Sequence, residues 1–217
     1  MPETGRAWHA GRSYWRGKTG LNDQSIGIEI VNQSYCKNGD STAEIRTGIT
    51  KKVRMCFFPD YPEAQIAVVI DLLKGIQERH PNIKAIDFIG HSDIAPGRKI
   101  DPGPRFPWER LYQVGIGAWF DDDTALKYLE QFTARPMTIS NIQKALNTYG
   151  YGIEQTGILD EQTRNVLQAF QLHFRPMNVN GEPTLETQAI LYALIEKYHA
   201  GKLEGLLKID ASPAYSR

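Results

Sequence analysis

One loop concentrates the residue types that hydrolytic chemistry needs. Residues 90–104 (GHSDIAPGRKIDPGP) hold a histidine, a lysine and a carboxylate, and prolines stiffen the segment. His91 and Asp101 are both good zinc ligands, one a neutral imidazole and the other an anionic oxygen. Lys99 lies two residues before Asp101, so in an extended segment both side chains share one face, where an ammonium could stabilise an oxyanion. These types and spacings are compatible with a metal-assisted hydrolytic site.

The same residues also have an ordinary structural interpretation. A histidine that follows a strand is common in loops, and aspartate before proline is a frequent turn former. The spacing between His91 and Asp101 is far less specific than two paired Cys-x-x-Cys motifs would be. Spacing alone therefore leaves the choice between a metal site and a plain turn open.

Three motifs, in order along the chain, resemble those of one known family. Residues 91–104 are similar to the zinc-binding segment of the bacterial N-acetylmuramoyl-L-alanine amidases of the AmpD/AmiD type. Residues 7–11 (AWHAG) and residues 22–29 (NDQSIGIE) resemble two upstream motifs of that family. The resemblance implies an α/β fold, with a mixed central sheet flanked by helices as in peptidoglycan-recognition proteins. It also implies hydrolysis of the amide bond between N-acetylmuramic acid and L-alanine in peptidoglycan or muropeptides.

The resemblance assigns a role to each matching polar side chain. It implies that His91 and Asp101 hold Zn²⁺, whose bound water is the nucleophile. Glu29 resembles the carboxylate that accepts the proton of that water and then delivers it to the departing amine. Lys99 would stabilise the oxyanion.

The N-terminal motif implies substrate contacts but no metal ligand. By resemblance, Trp8 and His9 line the substrate cleft, and His9 is not assigned to the metal. The third zinc ligand of the family is a histidine on an early strand upstream of this motif, and residues 1–7 contain no histidine. We therefore expect a chain that is truncated at its N-terminus and lacks that strand and that ligand. It should bind zinc weakly and show little or no amidase activity.

Composition limits the other classes of function. Lys+Arg and Asp+Glu are equal at 25 each, so the formal net charge is zero, which argues against a nucleic-acid binder. No apolar run is long enough to span a membrane, and residues 1–6 lack the basic start and apolar core of a signal peptide. The family resemblance implies the periplasm or cell envelope as the location, with peptidoglycan or muropeptides as partners.

Hydrophobic patterns predict the elements that position the site in a first domain, residues 1–120. Residues 26–31 alternate like a strand with one buried face, which projects Glu29 from the opposite face. Residues 83–89 form an apolar run that predicts a second strand ending just before His91. An amphipathic helix is predicted between these strands, capped by Asp60 and ending near His80.

Between the first strand and that helix the pattern is irregular. Residues 32–59 are polar and predict a long loop or hairpin. This segment holds the two cysteines of the chain, Cys36 and Cys56, which are compatible with a disulfide or with two thiols.

A second domain of three helices is predicted over residues 137–200. Ser140, Asp160 and Thr184 are suitable caps for its three helices. We expect residues 121–136 to connect the domains and residues 201–217 to form a tail.

The helical motifs of the second domain resemble the peptidoglycan-binding domain 1 family. The residues that carry this resemblance are 149–151 (YGY), 157–160 (GILD), 163 (T) and 170–171 (FQ). A generic three-helix bundle would have similar apolar spacing. His173, beside the apolar face, is interpreted as a histidine at the edge of the core rather than a ligand.

Two functions from different classes remain open at this stage. One is the zinc amidase, and the other is a non-catalytic protein in which both domains bind peptidoglycan without cutting it. A zinc D,D- or L,D-peptidase fits poorly, because the Lys99-x-Asp101-Pro-Gly-Pro sequence has no clear place in it.

Overall fold

A computed structural model of the chain describes residue 3, residues 5–41 and residues 51–208. This part of the chain has a mixed α/β fold with two antiparallel strand pairs and seven helices. The strands are β1 (Tyr14–Trp15), β2 (Lys18–Thr19), β3 (Tyr35–Ser41) and β4 (Lys51–Phe57). The helices are α1 (Glu63–Arg79), α2 (His91–Ile94), α3 (Trp108–Gln113), α4 (Asp122–Ala134), α5 (Ile139–Tyr149), α6 (Glu161–Phe174) and α7 (Leu185–Leu207). Among the helices of these residues, none combines the length and the hydropathy needed to cross a bilayer.

The strand predicted over residues 26–31 is not formed. The segment keeps the predicted alternation only in part, since Ile28 and Ile30 are partly buried and Glu29 is exposed, but Ile26 is exposed as well. No described strand pairs with the segment. The carbonyl oxygen of Val31 accepts a hydrogen bond of 2.8 Å from a side-chain amide of α1. Alternation specifies which side chains face the core, whereas a strand also needs a neighbouring backbone for its hydrogen bonds.

The strand predicted over residues 83–89 is also not formed, although the apolar side chains of this segment are buried or partly buried as expected. The segment contains a 3₁₀ turn, Ala85–Asp87, and Ile86 and Phe88 are buried. The indole N–H of Trp15 donates to the carbonyl oxygen of Ile86 at 3.0 Å. The Trp15 side chain thus supplies the hydrogen bond that the Ile86 carbonyl oxygen would otherwise accept from a neighbouring strand.

The polar segment after residue 31 contains the predicted hairpin. Strands β3 and β4 pair with Tyr35 opposite Phe57 and with the Cα of Cys36 opposite that of Cys56. The rings of Tyr35 and Phe57 stack with their centroids 5.0 Å apart. Cys56 is disulfide-bonded, which decides the alternative that the sequence left open. The connection between the two strands lies outside the described residues.

Helix α1 confirms the predicted amphipathic helix but not its cap. It begins at Glu63 after Pro62, and Asp60 instead forms an exposed ion pair with Arg105 at 3.5 Å. His80 follows the last turn, as predicted, and its Nε2 lies 2.8 Å from a carboxylate oxygen. The buried face of α1 packs into a core with α3 and comprises Ile66, Val69, Leu73 and Ile76.

Helices α5, α6 and α7 confirm the three helical segments of the C-terminal part. Asp160 and Thr184 cap α6 and α7 as predicted, each accepting the backbone N–H three residues further on, at 2.8 and 3.4 Å. Helix α5 differs, because Thr138 is its cap and Ser140 lies inside the helix. Local side-chain chemistry marked these boundaries to within two residues.

The segment predicted as a connection, residues 121–136, contains a packed helix. Tyr128 and Phe132 of α4 are buried in the same core as α7. The phenol of Tyr128 and the ammonium of Lys127 each donate to Glu196 of α7 at 2.5 Å. The segment is therefore part of the C-terminal helical assembly, whereas the domain division itself stays a prediction.

The first part of the predicted tail, residues 201–207, is helical. Helix α7 continues to Leu207, past a kink at His199. Residues 209–217 lie outside the described part of the chain.

The hydrophobic core crosses the predicted boundary between the two domains. Trp15 packs edge-to-face against Tyr149 and Tyr151, with centroid distances of 6.1 and 5.1 Å. Beside it, the backbone N–H of Arg16 donates to the carbonyl oxygen of Gly150 at 2.8 Å. Buried aromatic pairs of this kind contribute beyond their area. The N-terminal segment is thus attached directly to the end of α5.

Candidate active site

The loop of residues 90–104 folds back so that its two candidate metal ligands meet. Helix α2 begins at His91, and the backbone N–H of Ser92 donates to the carbonyl oxygen of Asp101 at 2.9 Å. Nδ1 of His91 then lies 3.0 Å from Oδ2 of Asp101. The structure therefore brings these two predicted residues together, and their role as ligands stays a prediction.

Two contacts around Pro102 keep this loop closed. A Cβ at Gly90 would lie 2.8 Å from Cδ of Pro102, so the glycine permits a close approach. The phenol of Tyr61, just before α1, donates to the carbonyl oxygen of Pro102 at 2.9 Å. A larger residue at position 90 would separate the two ends of the loop.

The electrostatics of the loop favour an ionised Asp101. The hydrogen bond from His91 lowers the pKa of the Asp101 carboxyl, and the positive charge of Lys99 lowers that pKa further, while burial opposes both. The carboxylate is 59% exposed, whereas the His91 side chain is 19% exposed. The charge of Lys99 thus acts on Asp101, whereas its role in stabilising an oxyanion stays a prediction.

The second ring nitrogen of His91 is held by the N-terminal segment. Nε2 lies 3.3 Å from the carbonyl oxygen of Ala10. The two ring nitrogens of His91 therefore face two oxygen acceptors, Oδ2 of Asp101 at Nδ1 and the carbonyl oxygen of Ala10 at Nε2. Metal-binding histidines commonly donate their other N–H to a carbonyl in this way.

Arg98 joins the N-terminal motif to the same loop. Its guanidinium donates to the carbonyl oxygens of Ala10 and Arg12 at 3.2 and 2.7 Å. Ala10 thus accepts hydrogen bonds from both His91 and Arg98. Sequence reasoning missed Arg98, because its partners are backbone atoms more than 80 positions away and leave no local pattern.

His9 is positioned by the second motif, residues 22–29. The backbone N–H groups of His9 and Ala10 both donate to Oδ1 of Asn22, at 2.9 and 2.7 Å. Nε2 of His9 lies 2.8 Å from the hydroxyl of Ser25, and a Cβ at Gly27 would clash with the His9 ring at 2.4 Å. The glycine inside the motif therefore allows the imidazole to lie against the backbone.

The other predicted site residues lie at the surface. Trp8 is 79% exposed, and the guanidinium of Arg6 lies 4.1 Å from its ring centroid. Glu29 is exposed two residues beyond Gly27 and makes no hydrogen bond or ion pair within the described part of the chain. The contacts thus connect Glu29 to His91 only indirectly, through the His9–Ala10 segment.

The His91–Asp101 pair fits two of the ligand positions of zinc. Ligands at about 2.0–2.2 Å from a tetrahedral zinc lie roughly 3.3 Å from each other, close to the separation found here. Within residues 5–41 and 51–208, however, no group of three His, Cys, Asp or Glu side chains could hold a metal ion. A catalytic zinc uses three protein ligands, so the described residues supply an incomplete set.

Comparison with known proteins assigns the chain to a family. Residues 1–104 match the family model for N-acetylmuramoyl-L-alanine amidase, and residues 138–191 match that for a peptidoglycan binding domain. The crystal structure of AmpDH3 from Pseudomonas aeruginosa has a TM-score of 0.79 and 43% identity to this chain. The alignment covers 92% of this chain and 72% of that one. The chain belongs to the N-acetylmuramoyl-L-alanine amidase family.

Other members of the amidase family match over much of the chain. AmiD of Escherichia coli K12 is 44% identical over 91% of this chain and 66% of its own length. A crystal structure of E. coli AmiD in complex with the substrate anhydro-N-acetylmuramic acid-L-Ala-D-γ-Glu-L-Lys has a TM-score of 0.74 and 43% identity, covering 91% of this chain and 71% of that one. AmpD of Enterobacter cloacae is 37% identical over 52% of this chain and 48% of its own length.

These matches confirm the amidase fold and the peptidoglycan-binding domain that the motifs indicated. The chain spans just under two thirds of the length of AmiD and about half that of AmpD.

Proposed function

We propose that this chain hydrolyses the amide bond between N-acetylmuramic acid and L-alanine in muropeptides. The observation that carries this proposal is the 3.0 Å approach of His91 and Asp101, in a loop that lies within the match to the amidase family. The related E. coli enzyme was crystallised with a muropeptide that contains this bond. Peptidoglycan fragments are therefore the substrate class that we propose for this chain.

Zn²⁺ is the proposed cofactor, with Nδ1 of His91 and Oδ2 of Asp101 as two of its ligands. Amidases of this family are generally zinc-dependent, and imidazole with carboxylate is a donor set that zinc prefers. When bound, zinc polarises a carbonyl and activates water near neutral pH. The ionised state of Asp101, favoured by His91 and Lys99, suits a ligand to a cation.

The side chains of this chain have distinct proposed roles in the reaction. Water adds to the carbonyl carbon, the C–N bond breaks, and the products are a carboxylic acid on the sugar and a free amine on L-alanine. Glu29 accepts the proton of the attacking water and delivers it to the leaving nitrogen. The ammonium of Lys99 stabilises the negative charge that develops on the carbonyl oxygen.

Substrate binding is assigned to the segment beside the loop and to the C-terminal helices. Trp8 offers an exposed aromatic face. The next residue, His9, is held by a contact with Ser25 in the segment of residues 22–29. The helical part from α5 to α7 contains the match to the peptidoglycan binding domain and is proposed to hold the polymer. These proposed partners support a location in the cell envelope, with the periplasm as the specific proposal.

A second candidate function is peptidoglycan binding without hydrolysis. The specific observation that favours it is the incomplete donor set, since the described residues bring only two ligand side chains together. Zinc should then bind too weakly to be retained, whereas the cleft and the C-terminal helices would still bind the glycopeptide.

One experiment separates the two functions. The 217-residue chain is incubated with an anhydro-muropeptide at increasing zinc concentration, and peptide release is followed by mass spectrometry. We expect little release at equimolar zinc and increasing release in excess zinc, abolished by His91→Ala and unaffected by His80→Ala at the exposed end of α1. Binding of the muropeptide without release at any zinc concentration would support the non-catalytic protein and overturn the amidase.

A further inference from the structure

The short helix that carries His91 also carries a fully buried carboxylate. Asp93 is 0% exposed, and its Oδ2 accepts the backbone N–H of Gly90 at 2.8 Å. Its Oδ1 accepts the phenol O–H of Tyr151 at 2.6 Å, and Nδ1 of His173 lies 2.8 Å from Oδ2. Two of these three donors come from the C-terminal helical part of the chain.

His173 is fixed in place by aromatic rings as well as by Asp93. Its ring stacks between those of Trp108 and Phe174, with centroids 3.9 Å away on each side. The residue is 3% exposed, and within the described residues its Nε2 has no hydrogen-bond partner. Nδ1–H, which donates to Asp93, is therefore the polar contact that orients this imidazole.

Tyr151 is equally constrained. Its ring is fully buried and packs edge-to-face against Trp15 at a centroid distance of 5.1 Å. Burial raises the pKa of the Tyr151 phenol well above its usual range, and the neighbouring charge of Asp93 raises it further. The hydroxyl therefore remains protonated and donates its hydrogen bond to the carboxylate.

Helix α2 is too short to hold its own orientation. Helix α2 has four residues, which is too few for a stable isolated helix. The conformational entropy lost in ordering the first turn exceeds the stabilisation from its hydrogen bond. The direction of the His91 side chain, at the first position of this helix, must be set by tertiary contacts. Within the described residues, the hydrogen bonds that reach α2 from the C-terminal part are those from Tyr151 and His173 to Asp93.

We propose that Tyr151 and His173 are positioning residues that orient His91 through Asp93. The C-terminal helices would then be an integral part of the hydrolytic site, in addition to any contact they make with the polymer. The structural part of this proposal is independent of the proposed function, and only the expected effect on zinc affinity rests on that function. A buried carboxylate that loses one of its donors is undersatisfied, so the segment that carries it should shift or open.

The test compares two deletions of a buried tyrosine hydroxyl. Tyr151→Phe removes the donor to Asp93, whereas Tyr192→Phe removes a hydroxyl that donates to the carbonyl oxygen of Leu206 at 3.2 Å within the C-terminal part. Amide hydrogen exchange is measured for residues 90–104 under native conditions, with global stability measured by urea unfolding. We expect about tenfold faster exchange in this loop for Tyr151→Phe, beyond any change in global stability. Tyr192→Phe should leave the loop unchanged.

Zinc affinity and a conservative rescue provide the second readout. By calorimetry, Tyr151→Phe and His173→Leu should each weaken zinc binding about tenfold, and Tyr192→Phe should not. His173→Asn keeps an N–H donor near the position of Nδ1 and should restore most of the affinity and the slow exchange.

The possible results distinguish failure of the positioning role from failure of the proposed amidase activity. Equal loop exchange in Tyr151→Phe and Tyr192→Phe, or identical behaviour of His173→Leu and His173→Asn, would overturn the positioning role. Faster loop exchange in a chain that releases no peptide at any zinc concentration would keep the positioning role and reject the amidase.

Discussion

Nδ1 of His91 lies 3.0 Å from Oδ2 of Asp101, because the backbone between them closes on itself at Ser92. The pair is joined to the N-terminal motif by the hydrogen bond from Nε2 of His91 to Ala10. This small assembly contains the two residues that we propose as zinc ligands. Three predictions test how this assembly is held together, and a fourth tests the contact between α4 and α7.

Replacing Asp101 should weaken metal binding strongly. Asp101→Asn keeps the size of the side chain but removes the negative charge that suits a zinc ligand. We expect the dissociation constant for Zn²⁺, measured by calorimetry, to rise at least about tenfold. Asp60→Asn is the matched control, since that carboxylate is exposed and pairs only with Arg105 at 3.5 Å. Equal affinities in the wild type and Asp101→Asn would remove Asp101 from the site.

A methyl group at position 90 should open the loop of residues 90–104. In Gly90→Ala the new Cβ would lie 2.8 Å from Cδ of Pro102, so the loop must shift. We expect the free energy of unfolding, from urea titration, to fall by about 1–3 kcal/mol. Gly201→Ala in α7 meets no atom within 4 Å and should instead stabilise the protein by about 0.5–1 kcal/mol. If Gly90→Ala left the free energy of unfolding unchanged or raised it, as expected for Gly201→Ala, the loop would be shown to accommodate the methyl group.

Arg98 should matter for substrate binding through the segment that it holds. Arg98→Ala removes the hydrogen bonds to the carbonyl oxygens of Ala10 and Arg12 and so releases the Trp8–His9 side of the cleft. We expect the dissociation constant for a muropeptide to rise about three- to tenfold, and amide exchange of residues 8–12 to become faster. Arg105→Ala serves as the control, because Arg105 lies one residue beyond the loop and pairs with Asp60. Unchanged exchange in residues 8–12 would contradict the prediction.

The stability contributed by the contacts of Glu196 in α7 with Lys127 and Tyr128 in α4 should depend on pH. The hydrogen bond from Lys127, and then that from Tyr128, lowers the pKa of Glu196. A carboxyl with a lowered folded-state pKa contributes stability above its unfolded pKa of about 4.3, and this contribution is lost as pH falls through the folded pKa. Glu196→Gln should therefore have a lower Tm than the wild type near neutral pH, and the difference should disappear in acid.

Thermal scans at a series of pH values check this prediction. Glu204→Gln removes only an exposed pair with Lys208 one turn away and should show no such pH-dependent difference. A difference between wild type and Glu196→Gln that persists below the folded pKa would show that the ion pair is not its source.

Local chemistry made part of the structure predictable. Asp160 and Thr184 were identified as caps because each acts on a backbone N–H three residues away. The alternation of residues 26–31 gave the correct exposed side for Glu29 in the same way. The element types of residues 26–31 and 83–89 were wrong, since a strand depends on a partner that the pattern does not contain.

In the site, too, the residue types could be predicted from the sequence, whereas the contacts between distant residues could not. The sequence by itself determined the residue types of the amidase motifs, and these placed the chain in its family. Only the tertiary structure decided that Arg98 holds the N-terminal motif and that Asp93 is bound by Tyr151 and His173. The physical reason is that these contacts join residues about 60 to 90 positions apart. A motif specifies the chemistry that a side chain can perform, whereas its partners are fixed only when the chain packs.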